Sequence, residues 1–215
     1  MQPNHYRLTT CVLIFVALVF TSCLGGPGKG PATRYFVINS LYSAENPDQP
    51  EPIMDLDEDI FIGVGPIQLS QALDRPQILI RTSHNEIRRS DLERWAMPLR
   101  ENIVNVVTDN LSALLTTGSI IKFPWKASIP INYQIVIDIT RFDGQPGGKV
   151  DLRARWGILS QSGRNVLAKE RSVLTEPVKG DTIAEMVSAQ SRLVATLSLK
   201  LAEEIKKLEG KKAQQ

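Results

Sequence analysis

Cys23 carries the one piece of covalent chemistry to which this sequence points. Ahead of it, residues 1–22 read as a secretory leader: His5 and Arg7 make a weakly basic start, and an apolar run from Cys11 to Phe20 follows. That run is too short to cross a bilayer, which needs about 20 apolar residues. Phe20-Thr21-Ser22-Cys23 resembles a bacterial lipobox, in which the cysteine sulfur takes an acyl group and the residue becomes the new amino terminus. Several acyl chains on one residue hold a protein firmly at a membrane, where a single chain holds it only marginally. A lipid on Cys23 is therefore expected, and no other cofactor.

Once the leader is removed, Cys23 is the sole cysteine and His84 the sole histidine. No disulfide can form within the chain, and a Cys/His zinc site lacks ligands, so no metal is expected. A Ser-His-Asp triad would have to use His84, which stands in a polar turn-like stretch, Thr82-Ser83-His84-Asn85. Gly63-Val64-Gly65-Pro66 is too short for a phosphate loop and lies in a strand pattern. Asp55, Asp57, Glu58 and Asp59 lack the spacing and central glycine of a calcium loop and read as a solvated acidic segment. No catalytic residue stands out, and the chain reads as a non-enzyme. Lys+Arg number 25 against 23 Asp+Glu, which gives no concentrated basic excess, so nucleic acid is not an expected partner.

The elements that would position these residues follow from periodicity. Residues 23–33, rich in glycine and proline, form a lipidated flexible tether. A single domain is expected over 34–209, with a disordered tail at 210–215. Strands are predicted at 34–39, 60–69 and 77–82, with a short one at 85–89. Ser90-Asp91-Leu92-Glu93 has the form of a capping box and predicts a helix carrying Leu92, Trp95 and Ala96 up to Pro98, where it kinks or restarts. From there Ile103, Val106, Val107, Asn110, Leu111, Leu114 and Leu115 recur at helical spacing, with Gly118 as the stop. Residues 131–142, 150–159 and 165–174 alternate apolar and polar side chains between short glycine turns, which predicts an antiparallel meander with one buried face. Thr182-Ile183-Ala184-Glu185 is a second capping box, opening a long amphipathic helix. The fold class expected is α+β: a single domain, a mostly antiparallel sheet, and two main helices packed on it. Parallel pairing of the amino-terminal strands with the meander is left open.

Several stretches in this order resemble one family, the ABC-type transport auxiliary lipoproteins of the PqiC/YmbA kind. They are RYFVINSL at 34–41, IGVGPIQLSQALDRPQILIRTSHNEI at 62–87, ERWAMPLRENI at 93–103, and Pro124-Trp125 with Ala154-Arg155-Trp156 further on. The resemblance implies a lipid-anchored accessory of an ABC transporter complex that contains an MCE-domain protein and moves lipid between two membranes. It also implies support of envelope integrity and a place on the inner leaflet of the outer membrane, facing the periplasm, since Leu24 rather than Asp follows Cys23. Homo-oligomerisation is compatible with this scheme. Asp74, Arg75, Arg81, Arg88 and Arg89 are the expected partner-binding surface, with an Asp74–Arg75 pair as the plain structural alternative. The alternative function is an outer-membrane lipoprotein that activates another envelope machine, such as a peptidoglycan synthase or an assembly complex.

Overall fold

Alternation of apolar and polar residues builds the centre of the molecule. In the computed structural model, which describes residues 30–42, 51–116, 119–160, 163 and 165–214, Ile131, Tyr133, Ile135, Ile137 and Ile139 all point into the core from one long strand. The leader and Cys23 lie outside the described residues, as does Gly118. Residues Arg34–Gln215 form one compact unit.

The elements in chain order are β1 (Arg34–Phe36), β2 (Phe61–Leu69), β3 (Gln77–Arg81), β4 (Ile87–Trp95), α1 (Leu99–Leu114), β5 (Ile120–Lys122), β6 (Ile131–Gly144), β7 (Lys149–Ser160), β8 (Val166–Pro177) and α2 (Ile183–Lys212). All eight strands join one sheet in the order β1-β4-β3-β6-β2-β5, with β7 on the other side of β6 and β8 beyond it.

The fold class expected from sequence needs correction. The domain is α+β with two helices, but the sheet is mixed and its pairings are mostly parallel rather than mostly antiparallel. β1–β4, β2–β5, β2–β6 and β3–β6 run parallel; only β3–β4, β6–β7 and β7–β8 run antiparallel. The meander itself is antiparallel as read. The error came from extending its pattern to the strands before it, whose partners lie far along the chain. β2 shows the difference: it is buried almost continuously from Ile62 to Gly65, as strands in parallel surroundings are.

The predicted helix over Leu92, Trp95 and Ala96 is also overturned, because those first two residues belong to strand β4. The capping-box bonds do form: Ser90 Oγ accepts from the Glu93 N–H at 3.2 Å and bonds the Glu93 carboxylate. They close a turn inside the strand. The register jumps from Leu79↔Arg89 to Gln77↔Arg94, so Ser90–Glu93 bulge out against a single residue of β3. A helix of so few residues before Pro98 could not recover its nucleation cost, whereas the strand gains pairing on both sides. α1 begins immediately after Pro98.

The cap at Thr182 holds, with its hydroxyl accepting from the Glu185 N–H at 3.2 Å. α2 then runs to Lys212, into the segment expected as a tail. Both helices lie against one face of the sheet, α1 over β2 and β5, and α2 over β7 and β8. Ile103, Val107 and Leu111 of α1 join Leu193, Leu197, Leu201 and Ile205 of α2, all buried, with Leu152, Ala154 and Trp156 of β7. Trp95 and Trp156 are core residues, and the Trp156 indole donates to Ser172 Oγ at 2.9 Å.

β1 stops at Phe36, short of the expected end at residue 39, and the chain continues as a strap across the helices. Asn102 grips Ile38 twice: its Oδ1 accepts from the Ile38 N–H at 2.6 Å and its Nδ2 donates to the Ile38 carbonyl at 2.9 Å. Ser191 Oγ accepts from the Asn39 N–H at 3.2 Å, and Ser40 donates to Asn110 Oδ1 at 2.6 Å. Asn110 in turn donates to Ser198 of α2 at 3.2 Å.

Candidate functional site

The residues expected to bind a partner fall in three places. Asp74 sits in the loop between β2 and β3 and pairs with Arg100 of α1 at 2.5 Å, not with Arg75. Both side chains of that pair are nearly half exposed, so solvent screens it and its contribution to stability is small. Arg75 turns back on its own loop, donating to the Gln71 carbonyl at 3.2 Å, and its Nε is buried without a partner.

Arg81, at the end of β3, is committed elsewhere. Its guanidinium meets Asp143 of β6 with two bonds, Nε to Oδ1 at 2.6 Å and Nη2 to Oδ2 at 2.9 Å. The bond from Asp143 holds the Arg81 guanidinium above its already high pKa, against the smaller opposing effect of burial. Asp143 is 4% exposed and also accepts from Arg141 Nε at 3.2 Å; Arg141 continues to Asp151 at 2.8 Å, and Thr175 donates to Asp151 at 2.7 Å. This chain of opposite charges ties β3, β6, β7 and β8 together at one end of the sheet. Its Arg81, Arg141 and Asp151 line a cleft of about 510 Å³ with His84, Lys149 and Arg153. His84 lies in the loop between β3 and β4, as its polar surroundings suggest.

Arg88 and Arg89 stand exposed on β4, with no ion pair among the described residues. On the side of β4 away from β3, β1 pairs only with Glu93–Trp95. Residues 87–89 therefore present a strand edge to solvent, and the bulge at Ser90–Glu93 beside it forms a polar depression of about 450 Å³ lined by Gln77, Arg88, Arg89, Asp91 and Arg94. The β1–β4 seam is fastened by Arg34 on Glu93 at 2.5 Å. Arg34 foremost, and then Ser90, hold the Glu93 carboxyl below the usual carboxylate range. A strand edge beside three arginines can accept an extended, acidic segment by backbone pairing.

Sequence reasoning missed Asp143, Arg141 and Asp151. Their signal was present: Arg141 and Asp143 break the alternation of β6 just before its glycine turn, and Asp151 and Arg153 follow that turn. Among the described residues no group of three or more His, Cys, Asp and Glu side chains is placed to hold a metal ion. No described helix is long and apolar enough to cross a membrane.

The residues of the resemblance also find their places. Gly65 adopts φ +122°, which only glycine takes readily, ahead of a cis bond to Pro66. Gly63 lies under Trp125, where a Cβ would come within 2.7 Å of the indole ring. Phe123 stacks edge-on against the same ring at 5.3 Å.

The family model for the ABC-type transport auxiliary lipoprotein component matches residues 42–202. No curated protein matches the chain. Among solved structures, an uncharacterized protein is 19% identical with a TM-score of 0.65, covering 81% of this chain and 99% of its own. Protein XCC0632 from Xanthomonas campestris, of the family DUF330, is 16% identical with a TM-score of 0.61, over 86% of this chain and 99% of that one. These two likenesses show that the fold is shared.

Proposed function

Because the chain belongs to the ABC-type transport auxiliary lipoprotein family, and is thus an auxiliary lipoprotein component of an ABC-type transport system anchored at a membrane of the envelope, we propose that it docks an MCE-domain protein at the outer membrane. In this reading it is a non-enzymatic periplasmic subunit of an intermembrane lipid transport system that supports envelope integrity. The observation that carries the reading is the family match across the folded domain. The lipid on Cys23 fixes the domain to the inner leaflet, and the glycine-rich tether gives it reach.

The docking surface we propose is the open edge of β4. Arg88 and Arg89 supply charge there, and the neighbouring Asp74–Arg75 loop sets its border. Arg81 contributes indirectly, by fastening β3 to β6 through Asp143. A strand of the partner would add to residues 87–89, ahead of the bulge, with acidic side chains against the arginines.

A crosslinked pull-down from envelopes tests the assignment, comparing the wild type with Cys23→Ala and with the Arg88→Glu, Arg89→Glu double variant. Recovery of an MCE-domain protein with the wild type, reduced in both variants, is the expected result. Recovery of a peptidoglycan synthase or an assembly machine in its place would overturn the transport reading. Undiminished recovery with the double variant would move the docking surface away from β4.

A further inference from the structure

The meander sorts its charges by face. Along β8 the side chains alternate, and the two glutamates on the face turned toward α2 are both paired: Glu170 with Lys200 at 3.7 Å and Glu176 with Arg192 at 2.5 Å. The residues between point away from the helices. Lys169 and Arg171 stand there exposed, with no ion pair among the described residues.

The register makes this open face more cationic still. Arg171 lies directly opposite Arg155 of β7, Lys169 opposite Gly157, and Val173 opposite Arg153. Like charges directly opposite on neighbouring strands repel, so Arg155↔Arg171 opposes folding instead of aiding it. The nearby acids do not relieve it. Asp143 and Asp151 are spent on Arg81 and Arg141. Asp138 of β6 lies opposite Arg155, with no ion pair among the described residues. Among the described residues, Asp138 thus faces Arg153, Arg155, Lys169 and Arg171, and none of these five side chains has an ion pair.

Apolar groups are set among these charges. A depression of about 500 Å³ is lined by Pro66, Val136 and Leu159 together with Asp138, Arg155 and Lys169. Val166 (59% exposed) and Val173 (57% exposed) flank the cations on β8.

We propose that this helix-free face of β6–β8 binds the anionic headgroup layer of a lipid membrane. The lysine and arginine heads meet lipid phosphates, and Val166 and Val173 enter among the headgroups. The charge on this face calls for an anionic surface, and the exposed valines among the cations suit a layer whose headgroups stand over hydrocarbon. A lipoprotein also carries such a surface within reach of its own anchor. The proposal rests on family membership alone and not on the identity of the transport partner, so this experiment and the pull-down fail separately.

The full-length lipoprotein, expressed in cells with a photoreactive benzophenone amino acid at Val173, is irradiated in its envelope, with the same group at exposed Glu203 of α2 as control. A phospholipid adduct at position 173, exceeding that at 203 by about fivefold or more and falling at least as far in Arg155→Glu, Arg171→Glu, is the expected result. An Arg155→Ser, Arg171→Ser variant repeats the measurement should the charge reversal fail to fold. A polypeptide adduct at 173 would overturn the proposal in favour of a protein docking face. Equal lipid adducts at both positions, or adducts insensitive to both double variants, would overturn it as well.

Discussion

On the face of β7 turned toward α2, Leu152, Ala154, Trp156 and Ile158 are buried almost completely, while on the opposite face of the same strand Arg153 and Arg155 stand in solvent. One twelve-residue strand thus presents two surfaces under different constraints. The covered face is fixed by packing: each side chain must fill its space against the helices. The open face has no such demand around Arg155, which lies directly opposite Arg171 of β8, a pairing of like charges that works against folding. Arg153, Arg155 and Arg171, which have no ion pair among the described residues, can be exchanged at little expense to stability, so their chemistry is available for contacts outside the domain.

That comparison is open to breakage from either side. Replacing Trp156 by Ala removes a buried indole and the N–H from which Ser172 Oγ accepts, and should destabilise the domain by about 4 kcal/mol in chemical denaturation. A loss below about 1 kcal/mol would mean that the covered face is not what holds the sheet. Asp143→Ala comes next, at about 3 kcal/mol, because it leaves Arg81 and Arg141 facing each other with no carboxylate between them. Calorimetry should show the loss retained at high salt, since the pair is largely shielded from solvent.

Glu176→Gln tests the covered rim of β8 and should cost about 0.5 kcal/mol, fading as salt is added, because its pair with Arg192 is partly exposed. The smallest effect is predicted on the open face. Arg155→Ser with Arg171→Ser should leave stability within about 0.5 kcal/mol of the wild type, shifted toward greater stability at low ionic strength. A clear destabilisation would sink the idea that this face is free of structural duty.

The same contrast explains what could be read from the residues. The alternation of 131–142 and 150–159 exposes its meaning locally, since each strand meets its neighbour across a short glycine turn. Thr182 likewise meets Glu185 within one turn of helix. The pairing of Arg34–Phe36 with Glu93–Trp95, or of Phe61–Leu69 with β6, joins segments separated by whole elements, and no local pattern announces its direction. Ser90 and Glu93 show how a local signal misleads: their hydrogen bonds are real, and they serve a strand bulge as readily as a helix start. Of the proposed binding residues, Arg88 and Arg89 lie exposed, but the bonding of Arg81 to Asp143, 62 residues away, was invisible because it depends on β3 meeting the far end of β6. The charge sorting on β8 was written in Lys169-Glu170-Arg171, yet its sense appears only once α2 is seen to cover one side.

The strap at Ile38–Ser40 has a mechanical consequence. Any tension arriving from the amino-terminal side enters the domain through β1, which is held by three paired residues and the Arg34–Glu93 contact. Beyond it the strap is fastened to both helices through Asn102, Asn110 and Ser191. The weaker grip comes first and the stronger second. A sustained pull would peel β1 from β4 and lengthen the leash by a few residues, and the force would then pass along the two helices with the core still closed.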